Sequence, residues 1–282
     1  MSNIDKYKKP SVASDIVLFT IKEDEKENYR KLPEKQLSVL LVKRGIEPFK
    51  DYYALPGGFV RENETVEEAA YRELIEETGV SNVRLTNLGV FSEPDRDPRG
   101  WVISTTFIGL TNSDAVKLEA GTDAKDVKWF AISYKCLKED RKILSSGYCI
   151  SKEYELILKS GEDVLSAHIV VENSTKNYYK KTNISIKDSN GIAFDHAKLI
   201  ASAIYELRNN LDSGMFAFDL MSEKFTLSDL QIAYEKILDK ELLKANFRRK
   251  IADYVIETDE SIMGAGHRPA KLFERNLEKF CM

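Results

Sequence analysis

Short apolar runs between polar flanks dominate the first 132 residues. "SDIVLFTI" (14–21) and "LSVLLVKR" (37–44) are rich in β-branched residues, and both predict core strands. Residues 82–91, 101–110 and 127–132 read the same way. Between the second and third of these strands the pattern changes. A Gly57–Gly58 turn leads into a stretch where Val66, Ala69 and Ala70 recur at helical steps, which predicts one helix. Thr65 and Glu68 form the T-x-x-E capping box that starts it, and Gly79 fits its C-cap. Strands on both sides of one helix imply a mixed sheet with helices packed against it.

Residues 133–190 alternate only weakly, as a hairpin or an insertion would, and the sequence assigns them no task. From Phe194 the period turns helical. Ala197, Ile200, Ala201, Ile204 and Leu207 define one helix, and residues 225–238 a second, with Thr226 or Ser228 as N-cap. Residues 242–257 form a third helix that runs into a short strand, and a Gly-rich turn follows before another extended piece. Helix, helix, helix, strand, loop, strand is the order of a winged helix-turn-helix. The expected domains are therefore 1–190, with 133–190 as an uncertain extension, and 191–282. The fold class is α+β.

Composition narrows the setting. A formal net charge of −4 over 282 residues gives no global pull towards nucleic acid or anionic membrane, so such binding must rest on a local patch. Cys136, Cys149 and Cys281 are far apart with no C-x-x-C, as reduced thiols would be. No apolar signal-peptide core follows the polar opening residues, and no run is long enough to span a bilayer. The cytoplasm is the expected compartment.

The helix after Gly58 carries the chemistry. Stepping about 100° per residue places Glu73, Glu76 and Glu77 on the same side as Val66, Ala69 and Ala70. Glu67, Glu68 and Arg72 fall on the outward arc. Three carboxylates on a partly buried face cost several kcal/mol per charge, in round numbers about 3–5, unless a cation joins them. Mg²⁺, with Mn²⁺ as an alternative, takes oxygen ligands and leaves positions open for substrate phosphates. The glycine pair lets the Gly57 carbonyl approach the same point, and Arg72 is placed to pair with Glu64.

Gly58, Glu64, Arg72, Glu73, Leu74, Glu76, Glu77, Gly79 and Val80 match G-x5-E-x7-R-E-U-x-E-E-x-G-U at every specified position. The segment is identified as a Nudix box, and a chance match in a chain this long is on the order of one in a million. The resemblance implies an α/β/α sandwich with a mixed sheet and hydrolysis of a nucleoside diphosphate linked to another group. It implies Glu73, Glu76, Glu77 and the Gly57 carbonyl as metal ligands, Arg72 and Glu64 as their support, and Gly58 beside the substrate. The general base is open: Glu139, Asp140 or a box glutamate. Pro94, fifteen residues after Gly79, resembles the placement in ADP-ribose pyrophosphatases, with Arg96 and Arg99 as partners for phosphate. A turn-rich loop is the alternative for that segment.

The whole layout resembles the Nudix-related transcriptional regulators, which implies a sensor for ADP-ribose or a similar nucleotide joined to a winged helix that binds operator DNA as a homodimer. From Glu223 onward eleven Lys and Arg balance eleven Asp and Glu, yet Lys244, Arg248, Arg249 and Lys250 sit together with no acid in 243–252. His267, Arg268 and Lys271 fall in the expected wing. That is where groove and phosphate contacts belong, although a solvated basic helix has the same pattern. His168, His196 and His267 are scattered and read as structural or surface residues. Two functions remain: a Mg²⁺-dependent pyrophosphatase, or a ligand-responsive regulator whose Nudix domain mainly senses.

Overall fold

The computed structural model describes residues 7–23, 35–113, 116–121, 124–211, 216–262 and 269–279. A mixed sheet is built from β1 (Ser11–Glu23), β2 (Lys35–Arg44), β5 (Leu85–Phe91), β6 (Val102–Leu110) and β7 (Ala124–Leu144), with the short β3 (Tyr53–Ala54) and β4 (Gly57–Phe59) attached. The strand order is β10-β9-β8-β7-β2-β1-β6-β5, with β3 on β2 and β4 on β1. Ile16, Val17, Leu18 and Phe19 are all fully buried, so β1 is covered on both faces and its continuous apolar run has a physical reason.

Gly57 and Gly58 are not in a turn. They form β4, which pairs antiparallel with β1 so that Asp15 faces Gly57 and Ser14 faces Gly58. A Cβ on Gly57 would run into the Ser14 carbonyl oxygen, and one on Gly58 into the Glu73 carboxylate. The approach of backbone to backbone and of backbone to carboxylate needs both glycines.

The weakly patterned stretch is a long antiparallel meander. β7 continues into β8 (Gly147–Ser160), β9 (Asp163–Lys176) and β10 (Tyr179–Asn190). In β9, Leu165, Ala167, Ile169 and Val171 are buried and alternate with less buried neighbours, the period expected of a sheet with one dry face. Ser160 pairs with Asp163 and Lys176 with Tyr179, so both hairpins close through two residues, with Gly161 and Asn177 at positive φ.

The helix α1 (Val66–Thr78) starts at Thr65. The Glu68 N–H donates to Thr65 Oγ1 at 3.1 Å, and the Thr65 N–H donates to Glu68 Oε2 at 2.7 Å. This reciprocal cap is worth about 1 kcal/mol. Gly79 closes the helix in the left-handed conformation, and Ala69, Ala70 and Leu74 are buried.

The C-terminal elements are α2 (His196–Asn210), α3 (Leu227–Leu238), α4 (Lys244–Ile251), β11 (Val255–Ile262) and β12 (Ala270–Arg275). Thr226 is the N-cap of α3, accepting from the Asp229 N–H at 3.1 Å. Leu230, Ala233, Tyr234 and Ile237 of α3 are buried, as are Phe247 and Ile251 of α4, and the Tyr234 and Phe247 rings meet edge to face at 5.2 Å. β11 and β12 pair antiparallel, and Phe225 bridges Phe273 as a third short partner. The chain divides into two compact units: Met1–Leu18, Val39–Gly109 and Lys117–Ala203 in one, and Phe19–Ser38, Leu110–Val116 and Ile204–Met282 in the other. Among the described residues no helix is long and apolar enough to cross a membrane.

Candidate functional site

The carboxylates of α1 do not share one environment. The Gly57 N–H donates to Glu77 Oε2 at 3.0 Å, and burial pushes the Glu77 carboxyl up to about 7, with the charges of Glu73 and Asp15 adding to it. Glu73 lies against Gly58 and accepts from Arg72 at 2.5 Å. Glu76 is wetter than its angular position implies: its side chain is 47% exposed, and it pairs with Arg61 and Arg72 at 3.2 Å each.

Arg72 also departs from its predicted outward arc. Its side chain is only 16% exposed because the long stem folds back over the loop before the helix. Nε and one terminal nitrogen of Arg72 donate to Glu64 at 2.9 and 2.6 Å, a bidentate fork. The Arg72 fork, helped by the Arg61 N–H, holds the Glu64 carboxyl down at about 2. With Arg72 between Glu64, Glu73 and Glu76, and Glu77 turned to β4, no group of three acidic, His or Cys side chains surrounds a common point among the described residues.

A cleft opens beside Gly57, Gly58 and Glu77, and its floor holds a network that the sequence did not announce. Asp15 of β1 accepts from Ser104 Oγ at 2.5 Å and from Arg96 at 3.3 Å. Arg96 also forks onto Asp195, at 2.9 and 3.1 Å. The Arg96 side chain is 5% exposed. Burial opposes its charge, but Asp195 and Asp15 outweigh that and raise its pKa. Arg96 therefore lines the cleft with its donors already committed to protein carboxylates. Arg99 is held by Asp97 through Nε to Oδ1 at 3.0 Å and a terminal nitrogen to Oδ2 at 2.7 Å. Pro94 is exposed and does not line the cleft.

His196, read from sequence as structural or superficial, is buried at the start of α2. Its Nδ1 accepts from the Leu55 N–H at 2.8 Å, which puts the ring proton on Nε2, 3.7 Å from Asp15 Oδ1. Burial lowers its pKa below the ordinary 6.5, so the unfolded chain binds this proton more readily than the folded one. The contribution to stability is complete above about pH 6.5 and is lost as pH falls towards the folded value, at up to about 1.4 kcal/mol per pH unit. Raised Glu77 contributes the opposite slope below about pH 7, so the measure is the difference between parent and His196→Gln in urea unfolding from pH 5 to 8, which should rise with pH. A difference that does not change with pH would show that His196 carries none of the pH dependence.

Asp15, Arg44, Phe194 and His196 all line the cleft, and none was singled out from sequence as a site residue. One signal was available. Asp15 is a lone acid inside the first apolar strand, and a buried charge of that kind needs a partner. Glu139 and Asp140, the candidate bases outside the box, lie on β7 in ion pairs with Arg141, Lys152 and Lys138, and neither lines the cleft.

In the second unit, Lys244, Arg248, Arg249 and Lys250 are exposed on α4, while Phe247 and Ile251 face inward. Lys250 lies over the Tyr234 ring at 5.6 Å. Lys271, on β12, is 3.4 Å from Glu257. His267 and Arg268 lie outside the described residues.

Comparison with known proteins matches two separate stretches of the chain. A model of the NUDIX domain matches residues 30–141, and a model of the NrtR DNA-binding winged helix domain matches residues 217–274. The chain is 27% identical to an ADPR responsive transcriptional repressor NtrR from Acinetobacter baylyi over 97% of its own length and 85% of that protein. It is 51% identical to an ADP-ribose pyrophosphatase from Methanocaldococcus jannaschii, over 36% of this chain and 58% of that one. The crystal structure of Shewanella oneidensis NrtR complexed with a 27mer DNA matches with a TM-score of 0.61 and 25% identity, covering 95% of this chain and 94% of that one.

Proposed function

Because the chain joins a Nudix domain to an NrtR-type winged-helix domain, we propose that it is an ADP-ribose-responsive transcriptional regulator. The supporting observation is the likeness to an ADPR responsive repressor, which runs through both units and 97% of the chain. In this reading the cleft beside Gly57 and Gly58 takes ADP-ribose or a related nucleoside diphosphate compound. The α4 face and the wing contact operator DNA, the usual arrangement for this motif, and a similar protein has been crystallised with a 27mer DNA. A homodimer would present two such helices to two half-sites, the usual geometry for this class of motif.

The complete carboxylate set favours a second activity in the same cleft. Glu64, Arg72, Glu73, Glu76 and Glu77 are all present, and the pyrophosphatase relative shares 51% identity over 102 residues of the chain. The donor set fits a hard divalent cation. It is all oxygen, and the charge on Glu77 is destabilised by burial beside Glu73 and Asp15, which a cation would relieve. Glu73, Glu76, Glu77 and the Gly57 carbonyl would hold Mg²⁺ or Mn²⁺. Such an ion supplies charge neutralisation at the pyrophosphate and a more acidic water. Arg72 positions Glu73 and Glu76, and the Gly57 N–H positions Glu77. Hydrolysis would destroy the effector and reset the regulator.

One pair of measurements separates the roles. DNA from upstream of the neighbouring genes should bind the purified chain, and added ADP-ribose should change that affinity by about tenfold, a coupling of about 1.4 kcal/mol. Binding that ignores ADP-ribose would remove the regulatory reading. With Mg²⁺ the same preparation should release AMP from ADP-ribose, and Glu76→Gln should stop the release while leaving the ADP-ribose effect on DNA in place. Absence of turnover in the unaltered chain would leave sensing alone.

A further inference from the structure

Three arginines line the cleft, and they differ in what already neutralises them. Arg96 is closed by Asp195 and Asp15, and Arg99 by Asp97. Arg44, at the end of β2, has no such partner. Its Nε donates to the Pro48 carbonyl at 2.8 Å, and among the described residues it forms no ion pair with a carboxylate. The side chain is half-buried. Burial and the nearby charge of Arg99 both lower its pKa, while Glu77, Asp97 and Glu47 offset this only from a distance.

Its orientation is fixed by an aromatic ring. The Arg44 guanidinium carbon lies 4.8 Å from the centroid of Phe194, and the Arg99 guanidinium lies 5.3 Å from the same centroid. Phe49 packs against that ring edge to face at 4.8 Å. Phe194 sits at φ 53, a left-handed conformation that a phenylalanine seldom adopts and that the surrounding packing must maintain. A guanidinium laid against a ring has its donors left at the edge, where they suit the paired oxygens of a phosphate. Two like charges on one half-buried wall, one of them unpaired, form an arrangement that an anion completes.

Resting on the reading of this cleft as a nucleotide site, we propose that Arg44, braced on Phe194, binds the phosphate oxygens of the ligand, and that Arg96 does not. The Arg96 cluster carries two aspartates for one arginine beside a neutral histidine, so an approaching phosphate meets net negative charge there. Arg44 offers the opposite. The ligand class is thus a phosphate-bearing nucleotide, recognised through its diphosphate by a residue outside the box.

Calorimetry on the full chain in metal-free buffer, where turnover cannot proceed, tests this with ADP-ribose and inorganic pyrophosphate as probes. Arg44→Gln should weaken both by about 10- to 100-fold. Arg44→Lys keeps the charge but loses the flat fork, and should fall between the two; equal unfolding midpoints for all three proteins exclude a folding defect. Unchanged affinity of Arg44→Gln for both probes would overturn the proposal. So would a loss confined to ADP-ribose, since Arg44 would then serve the nucleoside or ribose. A chain that binds pyrophosphate through Arg44 but not ADP-ribose would refute the proposed ligand and leave the Arg44 assignment standing. If the unaltered chain binds neither, both fail.

Discussion

Replacing Arg96 with methionine should destabilise the folded chain by about 3–5 kcal/mol, the cost of breaking a buried ion pair. The side chain is 5% exposed, and its two partners, Asp15 and Asp195, are 10% and 14% exposed. Removing the guanidinium leaves two carboxylates in a dry site with only the Ser104 hydroxyl and the distant His196 proton facing Asp15. Arg99→Met is the comparison. Its side chain is 42% exposed although Asp97 is only 5% exposed, so water screens one side of the pair and the loss should be smaller, about 1–3 kcal/mol. Urea unfolding midpoints give both numbers. Adding Asp15→Asn and Asp195→Asn to Arg96→Met should recover part of the loss, because the uncompensated charge goes with them. Equal, small effects for Arg96 and Arg99 would show that the network does not hold the cleft floor.

That contrast marks the limit of what the residues alone disclosed. Arg96 and Arg99 look alike in "SEPDRDPRG", and spacing cannot say which of them a distant aspartate will claim. Asp195 lies ninety-nine residues from Arg96 in the chain, and only the fold brings them together. The α1 segment was legible for the opposite reason. Its capping box, its C-cap glycine and the Arg72–Glu64 fork join residues within eight positions of each other, so local rules suffice. Exposure along α1 was less legible. Arg72 is long enough to turn inward and Glu76 to turn outward, whatever the angle of their Cα atoms.

The β7–β10 meander stayed obscure because its strands reach beyond the core. Only Ile184 of β10 is buried, and the outer half of β7 is exposed throughout, with ion pairs at 138–141 and exposed Leu137, Ile143 and Leu144, so no clean alternation reaches the sequence. Two of its turns carry Ser145–Ser146 and Asn177–Tyr178 in place of the Asn-Gly signal that would have flagged a hairpin, and the third carries a single glycine, Gly161, before Glu162. The second unit was easier, since α3 and α4 each bury one narrow apolar stripe at three- and four-residue steps.

The Arg248→Ala, Arg249→Ala double variant should lose DNA affinity on the order of 100-fold, since each arginine that reaches a base edge or phosphate is worth about 1–3 kcal/mol. The expectation follows from which side of α4 is dry. Phe247 and Ile251 are buried, Phe247 against the Tyr234 ring of α3, and Arg249 lies about 180° around the helix from the midpoint between them. Arg248 is about 80° from that midpoint, on the same open flank as Lys244. Lys250 returns towards the Tyr234 ring, so it is a weaker contributor and is left in place. Both replacements are exposed and should leave the unfolding midpoint unchanged within about 0.5 kcal/mol. Affinity for upstream DNA, measured by fluorescence anisotropy across a salt series, then carries two readouts. The slope of log K against log salt should fall by about 2 if both arginines displace counterions. A loss of affinity with an unchanged slope would place them on bases instead of phosphates. A variant that binds as tightly as the parent would mean that α4 is not the helix in the groove, and its basic face would revert to a solvated surface.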